Sequence, residues 1–98
     1  MKTVIWRPGL NLPHDPNAVE DYRIDWADWL GVATLAIVNV QAAEGIIAEE
    51  IIAARTAATC DVRIQGGTAR IIYAVQIRVE ASDGRKRDRT VLFTCREE

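Results

Sequence analysis

The sequence has little of what catalytic and metal-binding proteins use. Its 98 residues include one histidine, His14, and two cysteines. Cys60 and Cys95 are not in a CxxC spacing, and without a second histidine a zinc site is not expected. His14 lies between prolines, where a histidine is typical of a solvated loop, and no clustered nucleophile accompanies it. We therefore predict no catalytic residue, no metal and no cofactor, and a protein that is not an enzyme.

Long apolar runs and an excess of charge of one sign are also absent. Charges recur throughout the chain, so no stretch approaches the roughly 20 apolar residues of a membrane-spanning helix. Near the start, Arg7 and Pro8 interrupt the apolar residues before a signal-peptide core could form, so we expect no export signal and two free, buried thiols. Twelve basic and fourteen acidic residues give a formal net charge of −2, which disfavours binding to nucleic acid or anionic lipid.

What is present fits one small domain preceded by an arm. The length of 98 residues and the 49% hydrophobic content suffice for a single core, as in sandwich domains of about 100 residues. All three prolines fall within residues 1–18, together with Gly9 and Asn11. Because proline fixes φ and removes a donor, this segment is predicted to be an extended N-terminal arm before a domain at residues 19–98.

Period-two alternation of apolar and polar residues predicts strands in the domain. Tyr22, Ile24 and Trp26 alternate in the first of them. The β-branched residues of 32–40 predict a second strand, and residues 60–65 alternate as a half-buried strand before a pair of glycines. We expect these strands to bury one face each.

The last third of the chain has the clearest pattern. A strand is predicted in which every second residue faces inward, namely Ile71, Tyr73, Val75, Ile77 and Val79. Ser82, Asp83 and Gly84 supply hairpin turn chemistry, and a closing strand follows with three inward residues, namely Val91, Phe93 and Cys95. The structural residues that we single out are Tyr73, Trp26, Val75 and Phe93. Short strands separated by turns predict an all-β, immunoglobulin- or fibronectin-III-like sandwich of about six or seven strands.

Residues 42–58, AAEGIIAEEIIAARTAA, are ambiguous. Alanine and glutamate favour helix, and the isoleucine pairs recur at roughly helical spacing. Gly45 is a poor opening for a helix, Thr56 and Thr59 would close it among small residues, and tertiary pairing often overrides propensity in sheets. We favour one or more strands and leave the helix open.

Four side chains are candidates for contact with a partner. Trp6, in an arm that does not easily reach the core, is predicted to dock on a neighbouring subunit. Trp26 and Trp29 stand three residues apart, and core packing is the commoner role for each; we expect Trp26 in the core and leave Trp29 as a possible contact anchor. Arg85 and Arg87 belong to a basic cluster beside the hairpin turn, which indicates a solvated hairpin or a rim contact to a protein.

Two blocks of sequence resemble a known family. The first is DPNAVEDYRIDWADWL, residues 15–30, and the second is IQGGTARIIYAVQIRVEASDGRKRDRT, residues 64–90. The second block is also similar to the region around strand F of immunoglobulin-like sandwiches, in which Tyr73 would be the tyrosine-corner residue. Together the blocks resemble small tailed-phage virion proteins of the fibre-tail adaptor type, over roughly residues 15–96. The alanine-rich middle departs from that family, as does Gln65 where serine is usual.

The resemblance implies a non-enzymatic structural component of a tailed-phage virion. Such a protein would be made in the host cytoplasm and would link tail or head–tail junction proteins to fibres or neighbouring subunits, in several copies. Its partners would be other virion proteins: tail, adaptor, portal-proximal or fibre proteins. The alternative function is an immunoglobulin-like decoration or host-surface-binding module, in which exposed aromatic residues would contact the ligand.

Overall fold

Eight strands and two short helical segments make up the chain in the computed structural model, which describes residues 2–96. In chain order these are β1 (Lys2–Ile5), β2 (Asn11–His14), β3 (Val19–Asp25), α1 (Ala27–Leu30), β4 (Leu35–Ala42), β5 (Ile46–Glu50), a 3₁₀ turn (Ile52–Ala54), β6 (Thr59–Gly66), β7 (Ile72–Ala81) and β8 (Lys86–Cys95). The first sheet has the strand order β1-β3-β6-β5 and the second has β2-β8-β7-β4. The predicted all-β sandwich is confirmed.

The segment predicted to be a separate arm is extended but lies within the sheets. β1 pairs in parallel with β3, and β2 pairs in parallel with β8, where Leu12 is opposite Phe93. Leu10 and Leu12 are buried in the core. Pro13 is accommodated in β2 because an edge strand has one side that need not donate hydrogen bonds. The described part of the arm is thus part of the sandwich, which corrects the expectation that it stands apart and explains the larger number of strands.

The inward faces predicted for the last third of the chain are confirmed. In β7 the side chains of Val75, Ile77 and Val79 are fully buried, and they alternate with more exposed neighbours. The inward residues predicted for β8 are likewise buried. Ile71 is the exception at 45% exposed. It lies in a turn before the strand, where its N–H donates to the carbonyl of Thr68.

The strand prediction for the ambiguous middle is confirmed over Ile46–Glu50, which form β5, whereas Ile52–Ala54 form a 3₁₀ turn. Gly45 has φ +97° and makes the turn between β4 and β5. β5 then pairs antiparallel with β6, which buries Ile46 and leaves Ile47 56% exposed. The isoleucine pair therefore divides between the two faces of a strand, as the pleat requires, instead of sharing one face of a helix. Main-chain pairing with β6 overrides the helix propensity of alanine and glutamate.

The inner faces of the two sheets meet at aromatic and sulfur-containing side chains. The rings of Tyr22 in β3 and Phe93 in β8 lie 5.1 Å apart. Trp26 is buried, and its Nε1–H donates to Sγ of Cys60 at 3.2 Å. Cys60 and Cys95 are both free and buried, as predicted. Burial raises the pKa of the Cys60 thiol to about 11 and also raises that of Cys95, so both thiols stay protonated at neutral pH.

Tyr73 closes one end of the sandwich. It lies near the start of β7, and its hydroxyl oxygen accepts a hydrogen bond from the N–H of Thr68 at 2.8 Å. Gly67, at φ +93°, lies against it: a β carbon there would be 2.7 Å from Sγ of Cys95 and 3.2 Å from the tyrosine ring. Both the positive φ and the close contact require glycine at this position.

We expect Tyr73→Phe to lower the free energy of unfolding by about 1 kcal/mol, because the substitution leaves the Thr68 N–H without its acceptor. Urea denaturation of the purified protein measures this difference. Thr68→Ala is the matched control, since it keeps the N–H and should leave the midpoint unchanged. A Tyr73→Phe midpoint equal to that of the unsubstituted protein would argue against a structural role for the hydroxyl.

Candidate interaction surface

One end of the sandwich carries most of the candidate contact residues. We call it the hairpin end, and it consists of α1, the β7–β8 turn at residues 82–85, and the first half of β8 at residues 86–90. Two reciprocal hydrogen bonds join the turn to the loop between α1 and β4: the Ser82 N–H donates to the carbonyl of Thr34, and the Thr34 N–H donates to Oγ of Ser82. The turn is a tight one, closed by a hydrogen bond from the Gly84 N–H to the Ala81 carbonyl, with Gly84 at φ +93°.

Arg85 joins the hairpin turn to α1. Its guanidinium donates to the carbonyls of Trp29 at 2.9 Å and Leu30 at 2.8 Å, at the end of a helix where carbonyls have no partner inside the helix. The guanidinium carbon lies 5.1 Å from the centre of the Trp29 ring, and Nε also donates to Asp83. Arg85 and Trp29 therefore form one unit, in which the arginine is already engaged by its own chain.

Trp6 packs on the sandwich next to the hairpin end. Its ring stacks on Trp26 with centroids 6.4 Å apart, and its Nε1–H donates to the carbonyl of Thr90 at 3.3 Å. The guanidinium of Arg89 lies 4.4 Å from the centre of the Trp6 ring. The premise that Trp6 does not reach the core is wrong, because pairing of β1 with β3 carries it over the edge of the core. One side of Trp6 remains partly exposed.

Three cations of β8 have no acidic partner within residues 2–96, and we call them the cationic group: Lys86, Arg87 and Arg89. Arg87 is exposed, and its Nη1 donates to the carbonyl of Lys86 at 3.1 Å. By contrast, Asp88 is bound by Arg78 at 2.7 Å and 3.2 Å, so the acid inside this basic run is already neutralised. The first half of β8, residues 86–90, therefore carries a net positive charge.

The structure brings the predicted contact residues to one region but in separate units. Arg85 and Trp29 form the first unit, Trp6 joins Arg89 in the second, and Arg87 stands exposed between them in sequence. Arg89 belongs to the same basic cluster of the sequence, with Arg85, Lys86 and Arg87, and the structure places it over Trp6. The role of these residues in binding a partner stays a prediction.

A family model identifies the kind of protein that carries this surface. The model of the podophage GP4 fiber-tail adaptor protein gp77 matches residues 14–94. The chain belongs to this family. The match spans the end of β2 through most of β8, and thus the whole hairpin end. No curated protein matches the chain. The resemblance seen in the sequence is confirmed, and the family is one of phage virion structural proteins.

The prediction that His14 is a solvated loop residue is wrong. His14 is 1% exposed, because alternation along β2 turns Leu12 and His14 inward together. Its Nδ1 lies 3.2 Å from Oε1 of Glu20, and neither ring nitrogen has a hydrogen-bond partner within the described chain. No group of three potential metal ligands occurs among residues 2–96. None of the helices in that range is long and apolar enough to cross a membrane.

One acidic residue of β3 and one of β6 pair with arginines across the first sheet. Asp21 accepts two hydrogen bonds from Arg63, directly opposite on β6, and Asp61 accepts two from Arg23 in the reverse arrangement. The Arg63 guanidinium lowers the pKa of Asp21 below its usual value. Arginines of the same sheet therefore hold both carboxylates.

Trp6→Ala tests whether the tryptophan supports the fold. We expect it to lower the free energy of unfolding by about 2 kcal/mol, because a partly buried ring stacked on Trp26 would be lost. Urea denaturation followed by far-UV circular dichroism measures this loss. Arg87→Gln is the control on the same surface and should not move the midpoint, since Arg87 is exposed. Equal midpoints for both variants would show that Trp6 does not pack as described.

Proposed function

We propose that this protein is a non-enzymatic adaptor that uses its hairpin end to hold a neighbouring protein in the phage tail. The observation that carries the proposal is the family match over residues 14–94, which includes the hairpin end. In this function the protein links tail or head–tail junction proteins to fibres or to neighbouring subunits. It is assembled in the host cytoplasm and works in several copies in a symmetric virion.

The sandwich suits an adaptor because it holds its contact surface rigidly. β1 and β2 tie the N-terminal segment to both sheets, so no hinge separates Trp6 from the hairpin end. The guanidinium of Arg85 fixes α1 against the turn through two main-chain carbonyls. A surface whose parts are ordered before binding loses less conformational entropy on association.

We also infer that the sandwich is of the immunoglobulin type. If β3 to β8 are taken as strands B to G, the two sheets contain A, B, E, D and C, F, G, the arrangement of constant-type domains. The position of Tyr73, near the start of strand F with its hydroxyl bound to the main chain upstream, supports the same inference. Two features depart from that type, namely the parallel pairing of β1 with β3 and the presence of β2 beside β8 in the second sheet.

The hairpin end has the composition of a protein contact. Tryptophan and arginine are enriched where proteins bind one another. Trp29 lies in the hairpin end and Trp6 next to it, each partly exposed and each with an arginine over its ring. Nε1 of Trp29 is a buried donor without a partner within residues 2–96. The partly exposed rings of Trp6 and Trp29 would equally suit the alternative function, a decoration or host-surface-binding module. The family match favours the adaptor.

Mass spectrometry of purified virions tests the proposed function. We expect this chain in intact particles at more than one copy per virion, and retained with the tail when tails are separated from heads. Particles purified from a lysate in which the free protein has been added in excess provide the control for adventitious adsorption. Absence of the chain from intact particles would contradict the adaptor function, and its presence only in the adsorption control would do the same.

A further inference from the structure

β8 is longer than β2, the strand that pairs with one of its two edges. On one side β7 pairs with it from Lys86 to Thr94. On the other side β2 pairs only with the residues from Leu92 to Cys95. From Lys86 to Thr90, the side of β8 that faces away from β7 has no strand beside it within residues 2–96.

The hydrogen bonds show which main-chain groups of residues 86–90 have no partner strand. In antiparallel pairs every second residue bonds to the partner strand. The Cys95 N–H donates to the Ile71 carbonyl, so the odd-numbered residues of β8 bond toward β7. The Leu92 N–H donates instead to the carbonyl of Leu10, so the even-numbered residues face the other way. Lys86, Asp88 and Thr90 therefore present their N–H and C=O groups at an open edge.

Side chains occupy two of the carbonyls on this edge in the isolated chain. Nη1 of Arg87 donates to the Lys86 carbonyl, and the Trp6 indole donates to the Thr90 carbonyl. No side chain within residues 2–96 bonds to the main chain of Asp88, which lies between them. An edge with unpaired donors and acceptors is a template for a further strand, and the exposed Arg87 side chain is free to move aside.

Charge indicates what kind of strand this edge would take. The cationic group of Lys86, Arg87 and Arg89 surrounds the open edge without an acidic partner in the described chain. Only an edge of a second copy could pair with this edge of β8. Within residues 2–96, the carboxylates on the edge strands and on the open half of β8 are Glu49 and Glu50 on β5 and Asp88 on β8. Arg55 holds Glu50 and Arg78 holds Asp88, which leaves Glu49 alone. The missing charge is thus best supplied by a different protein.

We propose that an extended, acidic segment of another virion protein adds to the second sheet as a strand beside β8, from Lys86 to Thr90. Its main chain bonds to Lys86 and Asp88, its carboxylates pair with the cationic group, and Trp6 limits the strand at the Thr90 end. This inference rests on the proposed adaptor function, since it names the partner surface and the class of partner.

Hydrogen exchange tests the strand directly. The exchange of the Asp88 amide is measured by mass spectrometry in the free protein and in purified virions. We expect exchange to be at least about tenfold slower in the virion, because the amide gains a main-chain acceptor. An Asp88 amide that exchanges equally fast in both would overturn the strand addition while leaving the adaptor function standing. A chain absent from virions would remove the proposed function, and this inference with it.

A pair of variants at Lys86 separates the main-chain bond from the charge. Lys86→Pro removes an N–H that faces the open edge and keeps the bonds to β7, which proline tolerates at the first residue of a strand. Lys86→Gln removes only the charge. In particles assembled from equal amounts of variant and unsubstituted chain, we expect Lys86→Pro to be depleted at least about tenfold and Lys86→Gln about twofold to threefold. Equal incorporation of the two variants, with equal melting temperatures, would contradict the main-chain bond.

Carbodiimide cross-linking tests the acidity of the partner. The reagent joins a lysine amine to an adjacent carboxylate, so Lys86 should be linked to an aspartate or glutamate of another virion protein. Particles that carry Lys86→Gln should lack this product. Links from Lys86 only to other copies of the same chain would overturn the assignment of the partner.

Discussion

The contact of Tyr22 with both sheets is the constraint on which the rest of the structure depends. Its ring packs on Phe93 of the second sheet at 5.1 Å, while its own strand, β3, lies in the first sheet. Its hydroxyl donates to the carbonyl of Pro13 at 2.6 Å and so holds β2 in place. Burial raises the pKa of this hydroxyl, which keeps the donor protonated. The position of β2 in turn decides how much of β8 is covered, and the open edge begins where β2 is absent.

The strands after residue 60 could be predicted because their pattern is local. Period-two alternation in β7 and β8 reports directly on which side of a strand is buried, and the turn residues mark the ends. β5 could be predicted only in part, because alanine and glutamate favour a helix and only pairing with β6 settles the choice. Gly45, Thr56 and Thr59 were the local signals against the helix, and the structure gives Gly45 a φ of +97°.

The strands of the N-terminal segment could not be predicted from local pattern. Proline and glycine indicate an irregular segment, whereas the pairing of Leu12 with Phe93 joins residues far apart in sequence. A strand of four residues is also too short for its alternation to be read, so the inward position of His14 went unseen. The hydrogen bond from Trp6 to Thr90 joins residues that are 84 positions apart in the sequence, and no local pattern predicts it.

The candidate surface, likewise, could be predicted only in part from the sequence. Its residue types, tryptophan and arginine near a hairpin, were visible in the sequence, and the structure places them together. Which arginines are engaged and which are uncompensated depends on neighbours: Arg85 is bound by carbonyls of α1, whereas Arg87 has no acidic partner in the described chain. The open edge itself follows from the unequal lengths of β2 and β8, which only the three-dimensional pairing reveals.

The central claim is that a phage adaptor binds its neighbour through the hairpin end. Cryo-electron microscopy of the intact virion tests it most directly, because it locates the chain and its contacts together. The claim predicts density for this sandwich in the tail, in several symmetric copies, with another protein against residues 82–90. A sandwich located in the tail whose hairpin end faces solvent, with its neighbours bound elsewhere, would contradict it.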